Sequence, residues 1–196
     1  MTSGLIIFLK YPEKGKVKTR LAKKIGSDKA LELYWYLVHN TICNSNGTHF
    51  AELHFQNQLP SKHPFLNLTC KYQKGENIGE RMFNSLASVL DSAELAILIG
   101  ADIPEMSNDV IEEAVKILQS NDVVFGPSKD GGYYLVGMKK ACREIFELEE
   151  WSHSKVLEQT IEKVKQLGLS FDFTKELNDL DTFDDLKDFP KLLEMI

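Results

Sequence analysis

Two short runs of unbroken apolar residues, Leu5–Leu9 and Leu95–Ile99, limit what this chain can become. Neither alternates polar with apolar. Each is too short for a helix with one buried side, and far too short to cross a membrane. Such a run buries all of its side chains in a strand covered on both faces, as in a parallel sheet between helices. Gly100 and Pro104 break the second run and leave Asp102 just past its carboxyl end. Open α/β sheets bind ligands at that edge. A carboxylate there commonly holds a divalent metal over phosphates or closes a turn.

The spacing between these runs predicts the rest of an α/β fold. Ser27 is read as the cap of a helix with Ala30, Leu33, Leu37, Val38 and Ile42 inward. Phe50–Phe55 and Leu66–Tyr72 read as strands. Gly75–Gly79 turns into a helix carrying Met82, Phe83, Leu86, Ala87 and Leu90. Ser107 should cap a helix over Asp109–Gln119, with strands at Asp122–Gly126 and Tyr133–Met138. Trp151-Ser152-His153-Ser154 should open a helix that ends at Gly168, before a strand at Leu169–Phe173. Thr182 and Asp185 have the spacing of a capping box. The expectation is one domain over residues 1–196: a three-layer, Rossmann-like, mostly parallel sheet with helices on both faces.

Composition excludes several functions. With 43 % hydrophobic residues the chain can fill a core without staples. A net charge of −6 argues against a general nucleic-acid binder. Cys43, Cys70 and Cys142 are odd in number and lack Cys-x-x-Cys spacing, so they are expected as free buried thiols in a reducing compartment. Leu5–Leu9 has no positive flank before it and is not read as a signal peptide. The expected location is the cytoplasm, with no membrane span. Asn46-Gly47-Thr48 and Asn67-Leu68-Thr69 are taken as chance matches to a glycosylation pattern. His39, His49, His54, His63 and His153 show no metal-ligand spacing; only His153, beside Trp151, stands out.

Four stretches could do chemistry. Lys10–Lys24 holds seven basic residues against the single acid Glu13, directly after the first strand. Lys10 and Lys18 supply point charges there, and Arg20 can grip a phosphate bidentately. Asp102 is an oxygen ligand suited to Mg²⁺ or Mn²⁺. Asp130-Gly131-Gly132 is either a plain hairpin turn or a close backbone approach to a ligand, with Asp130 a candidate base. Asp179 and Asp181, two apart, point the same way if extended, and one could complete a metal site.

In order, Phe8-x-Lys10-x-Pro12-x-x-Gly15-x-Val17-Lys18-Thr19-Arg20-Leu21, Gly75-x-x-Ile78-Gly79-x-Arg81-Met82, Gly100-Ala101-Asp102-Ile103-Pro104, Gly126-Pro127-x-x-Asp130-Gly131-Gly132-Tyr133-Tyr134-Leu135, Trp151-Ser152 and Leu180-Asp181-Thr182-Phe183-Asp184-Asp185-Leu186 span nearly the whole chain. The ordered set resembles the small bacterial glycosyltransferase-like proteins of the DUF2064 family, also called selenodomain-associated transferase 1. Ala101, Ile103 and Phe183 depart from the family pattern without removing a carboxylate.

The resemblance implies a GT-A-type nucleotide-diphospho-sugar transferase fold that binds a nucleotide diphosphate with a divalent metal. By that resemblance Asp102 would be the metal aspartate, and Lys18 with Arg20 the phosphate loop. Read together with these, Lys10, Gly15, Thr19, Gly79 and Arg81 are also expected to bind the nucleotide phosphates, Asp181 to join Asp102 in holding Mg²⁺ or Mn²⁺, and Asp130 to act as the catalytic base. The expected activity is glycosyl transfer from a nucleoside-diphosphate sugar to an unidentified acceptor. The alternative is nucleotidyl transfer of the guanylyltransferase kind, releasing pyrophosphate from a nucleoside triphosphate. A third reading is a nucleotide-binding protein that keeps the fold without catalysis.

Overall fold

The computed structural model describes residues 2–45, 50–60, 68–151 and 153–196. Asn46-Gly47-Thr48, His49, His63, Asn67 and Ser152 lie outside the described residues. So do parts of the strand expected from Leu66 and of the loop expected over Leu59–Pro64.

The apolar runs form the centre of a seven-stranded sheet. Strand β1 (Ser3–Leu9) lies between β2 (Phe50–Phe55) and β4 (Leu95–Gly100), parallel to both. β3 (Thr69–Tyr72) extends the sheet beyond β2. On the other side come β6 (Tyr133–Met138), β5 (Val123–Pro127) and β7 (Phe171–Phe173), giving the order β3-β2-β1-β4-β6-β5-β7. The sheet is mostly parallel, but β6 runs antiparallel to β4 and β5. The turn at residues 128–132 therefore joins an antiparallel hairpin, as Asp-Gly chemistry favours.

Helices cover both faces because side chains alternate along each strand. Leu5, Ile7 and Leu9 point to the side of α2 (Ser27–Cys43) and α4 (Asn108–Ser120), where Tyr34, Val38, Ile111 and Leu118 pack. Ile6, Ala96 and Leu98 face α3 (Ile78–Leu90) and α5 (Val156–Gln166), meeting Met82, Leu86, Ile161 and Val164. The expected three layers are present. No helix among the described residues is long and apolar enough to cross a membrane.

Several boundaries differ from the sequence pattern. A seven-residue helix, α1 (Thr19–Ile25), lies inside the basic stretch, where lysine spacing hid its single buried residue, Leu21. Gly26, at φ 87°, separates α1 from α2, so Ser27 is the first residue of α2 and caps nothing with its side chain. Asn77 caps α3 by accepting from the Glu80 backbone N–H. The helix expected from Trp151 starts at Val156. Thr182 and Asp185 form the expected capping box of the short α6 (Phe183–Leu186), which α7 (Pro190–Leu193) follows. No disulfide joins the cysteines, but they are not buried: Cys43 is exposed, and Cys70 and Cys142 are half-buried.

A third apolar cluster, unmarked by any periodicity in the sequence, positions the site. The last stretch of the chain is an acidic tail, with seven acids against two lysines over residues 172–188. From it Leu180, Leu186 and, just beyond, Leu192 insert among Leu21, Leu33 and Leu37 of α1 and α2. Leu180 is fully buried, and its backbone N–H donates to the Asp102 carbonyl at 3.0 Å. Apolar burial thus anchors the tail, and the anchored tail carries its carboxylates to the end of β4.

Candidate functional site

The carboxyl ends of β1 and β4 lie side by side, with Phe8 opposite Gly100 in the parallel register. The chain leaves β1 toward one edge of the sheet and β4 toward the other, which opens a crevice at this switch point. A cleft of about 400 Å³ opens there, lined by Lys10, Lys18, Asp102, Asp179 and Asp181 together with Tyr34 and the β6 residues. It falls within the usual range for a small-molecule site.

Lys18 is the centre of the cleft's electrostatics. It is the one non-glycine residue at positive φ among the described residues, at φ 46°, ψ 43°. A left-handed lysine costs about 1–2 kcal/mol, which the surrounding contacts must offset. Its side chain is only 4 % exposed, so the ammonium cannot rely on water. Nζ sits 2.8 Å from Asp102 Oδ1 and 3.9 Å from Asp181 Oδ1, and 6.0 Å from the centre of the Tyr34 ring. The approach to Asp102 is close enough for an ion pair but poorly aligned for a hydrogen bond. This buried Oδ1 therefore has a cation beside it and no hydrogen-bond donor among the described residues. Arg20, largely exposed, pairs with Asp181 Oδ2 at 2.8 Å.

Neighbouring groups hold this arrangement in place. The Tyr34 hydroxyl donates to the Lys10 carbonyl and accepts from the Lys10 N–H at 2.9 Å, which fixes the exit from β1. Burial and the Asp102 charge push the Tyr34 phenol far above its ordinary range, so it stays a neutral donor. Burial raises the Tyr134 phenol to about 12, and its hydroxyl bonds Thr174 Oγ1 and the Lys175 carbonyl. Asp179 accepts from the Ser128 hydroxyl. Burial pushes the Asp179 carboxyl up, and the charges of Asp130 and Asp102 add to the effect. Asp130 accepts from the Gly132 N–H at 2.9 Å, closing its own turn.

The candidates from the sequence divide into two groups. Lys18, Arg20, Asp102, Asp130 and Asp181 line one continuous polar region with Asp179, and Lys10 lines the adjoining cleft. Gly15 (φ 78°) forms an exposed turn, and Thr19 begins α1, exposed. Lys14 and Lys16 pair with Asp28 and Glu13 at the surface. Gly79 lies beneath Trp151, where an added Cβ would stand 2.5 Å from the indole. Arg81 Nε donates to the Gly75 carbonyl at 3.1 Å. The spacing at 179 and 181 leaves either carboxylate open, and the motif resemblance favours Asp181; in the structure both line the cleft, and Asp179 also lines the two cavities beside it.

As a cation site, the region offers Asp102 and Asp181. Among the described residues no set of three metal-ligating side chains converges. Two carboxylates with substrate phosphates are a normal set for Mg²⁺, and Asp102, whose Oδ1 has the Lys18 ammonium beside it but accepts no hydrogen bond among the described residues, fits that donor chemistry.

The family profile described as "Uncharacterized protein conserved in bacteria (DUF2064)" matches residues 46–153. A protein from Desulfovibrio desulfuricans, provisionally named a nucleotide-diphospho-sugar transferase, is 27 % identical; the alignment covers 99 % of this chain and 98 % of that one at TM-score 0.86. A 4-diphosphocytidyl-2C-methyl-D-erythritol synthase from Anaerococcus prevotii shares the fold at TM-score 0.59 and 12 % identity, covering 98 % and 96 %. An inositol-1-phosphate CTP transferase from T. maritima does so at TM-score 0.58 and 12 % identity, covering 99 % and 96 %. No curated protein matches the chain in sequence.

Proposed function

The chain belongs to the DUF2064 family, and on that premise we propose that it is a transferase acting on a nucleotide-linked donor, a nucleoside-diphosphate sugar, with a divalent metal. One observation carries this reading. The buried Lys18 ammonium stands between Asp102 and Asp181 at the paired ends of β1 and β4. That point combines a cation for a diphosphate with carboxylates for an ion, in a crevice of substrate size. The provisional name of the relative from Desulfovibrio desulfuricans, with this fold along nearly its whole length, supports the same class.

Lys10, Lys18 and Arg20 would bind the diphosphate. Arg20 can leave Asp181 for a phosphate at little cost, because it is largely exposed and a surface ion pair contributes about 0–1 kcal/mol. Asp102 and Asp181 would hold Mg²⁺ or Mn²⁺, which would neutralise charge developing on the leaving diphosphate. Asp130 lines the same polar region and is the proposed base for the acceptor hydroxyl, with one oxygen held by the Gly132 N–H. Tyr34 keeps Lys10 and the loop behind it in register through two backbone bonds.

Cytidylyltransferases share the fold, so the test must separate the two reactions. Incubation with nucleoside-diphosphate sugars and Mn²⁺ should release nucleoside diphosphate. Release of pyrophosphate from nucleoside triphosphates, with no turnover of any nucleotide sugar, would overturn glycosyl transfer in favour of nucleotidyl transfer.

A further inference from the structure

A second cavity of about 390 Å³ opens beside the nucleotide cleft. The two share Ile78, Met82, Tyr133 and Asp179 as a common wall. Its far wall is made by Trp151 and His153. These surfaces are held firmly. Gly131, at φ 89°, lies so close to the Ser154 backbone that a Cβ there would clash, and its carbonyl accepts from the Leu157 N–H at 3.0 Å. Trp151 packs directly on Gly79 and meets the Tyr133 ring edge-on at 6.5 Å. The hairpin turn, the start of α3 and the segment before α5 are thereby clasped around a preformed space.

The cations separate this space from its neighbour. The nucleotide cleft sets Lys10 and Lys18 beside Asp102, Asp179 and Asp181. The second cavity carries the carboxylates of Asp130 and Asp179, and no lysine or arginine among the described residues that line it. His153 accepts the Lys155 N–H at Nδ1, which leaves its ring proton on Nε2 as a donor for a neutral oxygen. A phosphorylated molecule would face two carboxylates with no cation, and like charges placed together disfavour binding. A hydroxylated ring meets carboxylate acceptors, an imidazole donor and the apolar faces of Trp151, Met82 and Ile78.

We propose that this second cavity is the acceptor site, and that it takes a hydroxylated ring molecule bearing no phosphate. The proposal rests on the transferase reading above. It limits that reading to acceptors of the neutral polyol class and sets the enzyme apart from transferases that use phosphorylated acceptors.

The test reads the two claims separately. Nucleoside diphosphate with Mn²⁺ should raise the melting temperature of the whole chain, which tests the donor site alone. With the nucleotide bound, a Trp35→Phe variant leaves Trp151 as the only indole, and its fluorescence reports the second cavity. Methyl glucoside and myo-inositol should change that signal saturably, at least about tenfold more tightly than glucose 6-phosphate and inositol 1-phosphate. Asp130→Asn should narrow the preference. Equal or tighter binding of the phosphates would overturn the proposal. So would an unresponsive Trp151 in a chain whose nucleotide shift is intact; loss of the nucleotide shift would instead overturn the donor reading.

Discussion

At the residue scale, Lys18 combines backbone strain, burial and charge. Strain and charge can be separated by substitution. Lys18→Ala keeps a side chain in the left-handed region, whereas Lys18→Gly relieves it by about 1 kcal/mol. Both remove the ammonium from Asp102. The glycine variant should therefore melt above the alanine variant, while calorimetric titration finds nucleoside-diphosphate binding lost in both. A second residue-scale prediction concerns the buried group formed by Glu52, His54 and Ser85. His54 Nδ1 meets Ser85 Oγ at 2.9 Å, Nε2 meets Glu52 at 2.9 Å, and Lys71 pairs with the same carboxylate at 2.8 Å. Burial holds the His54 imidazole below its ordinary 6.5 despite Glu52. Burial pushes Glu52 up, but Lys71 and His54 outweigh it and leave the carboxyl below its ordinary 4.5. As pH falls, the unfolded chain takes each proton before the folded one does. Stability is therefore lost first below 6.5 for His54 and then below 4.5 for Glu52. Melting curves from about pH 7 to about pH 5 should fall more steeply for the wild type than for His54→Gln.

At the scale of elements, the acidic tail is the least conspicuous part of the sequence and the most consequential for the site. Its charges suggest a solvated segment, yet Leu180 and Leu186 are fully buried against α1 and α2. Leu186→Ala should cost about 2–5 kcal/mol. Because Leu180 and α6 place Asp181, this change should also weaken nucleotide binding, although Leu186 lines none of the cavities described. Thr182→Ala removes the capping hydroxyl of α6 and should cost about 1 kcal/mol in denaturant melts. The capping box was legible because it is a local pattern of two side chains. The third core was not, because its leucines lie far apart in sequence and have no shared period. Helix α1 was masked by its lysines, and only Leu21 turns inward. The reversal of β6 was open from the start, since Asp-Gly-Gly permits either a hairpin or a ligand loop, and direction is set by pairing with β4.

At the scale of the molecule, the sheet was readable from two apolar runs because burial on both faces leaves no alternation to misread. The site was readable only in outline. Lys18, Arg20, Asp102 and Asp181 are recognisable as charged residues at strand ends or in loops, but the ion pairs joining residues 18 and 20 to residue 181 depend on the tail's packing. Nothing in the local sequence tells Asp179 from Asp181; they differ in that Asp179 accepts from Ser128 and also lines the second cavity, whereas Asp181 pairs with Arg20. The central claim is that the paired ends of β1 and β4 bind a nucleoside diphosphate through Lys18 and Asp102. The most direct measurement is a thermal-shift series with UDP, GDP, CDP and ADP, with and without Mn²⁺, on the wild type and on Asp102→Asn. The account predicts that one nucleotide raises the wild-type melting temperature, more with Mn²⁺ than without, and that the variant loses the Mn²⁺-dependent part. A variant that keeps both the nucleotide shift and its metal dependence would contradict it.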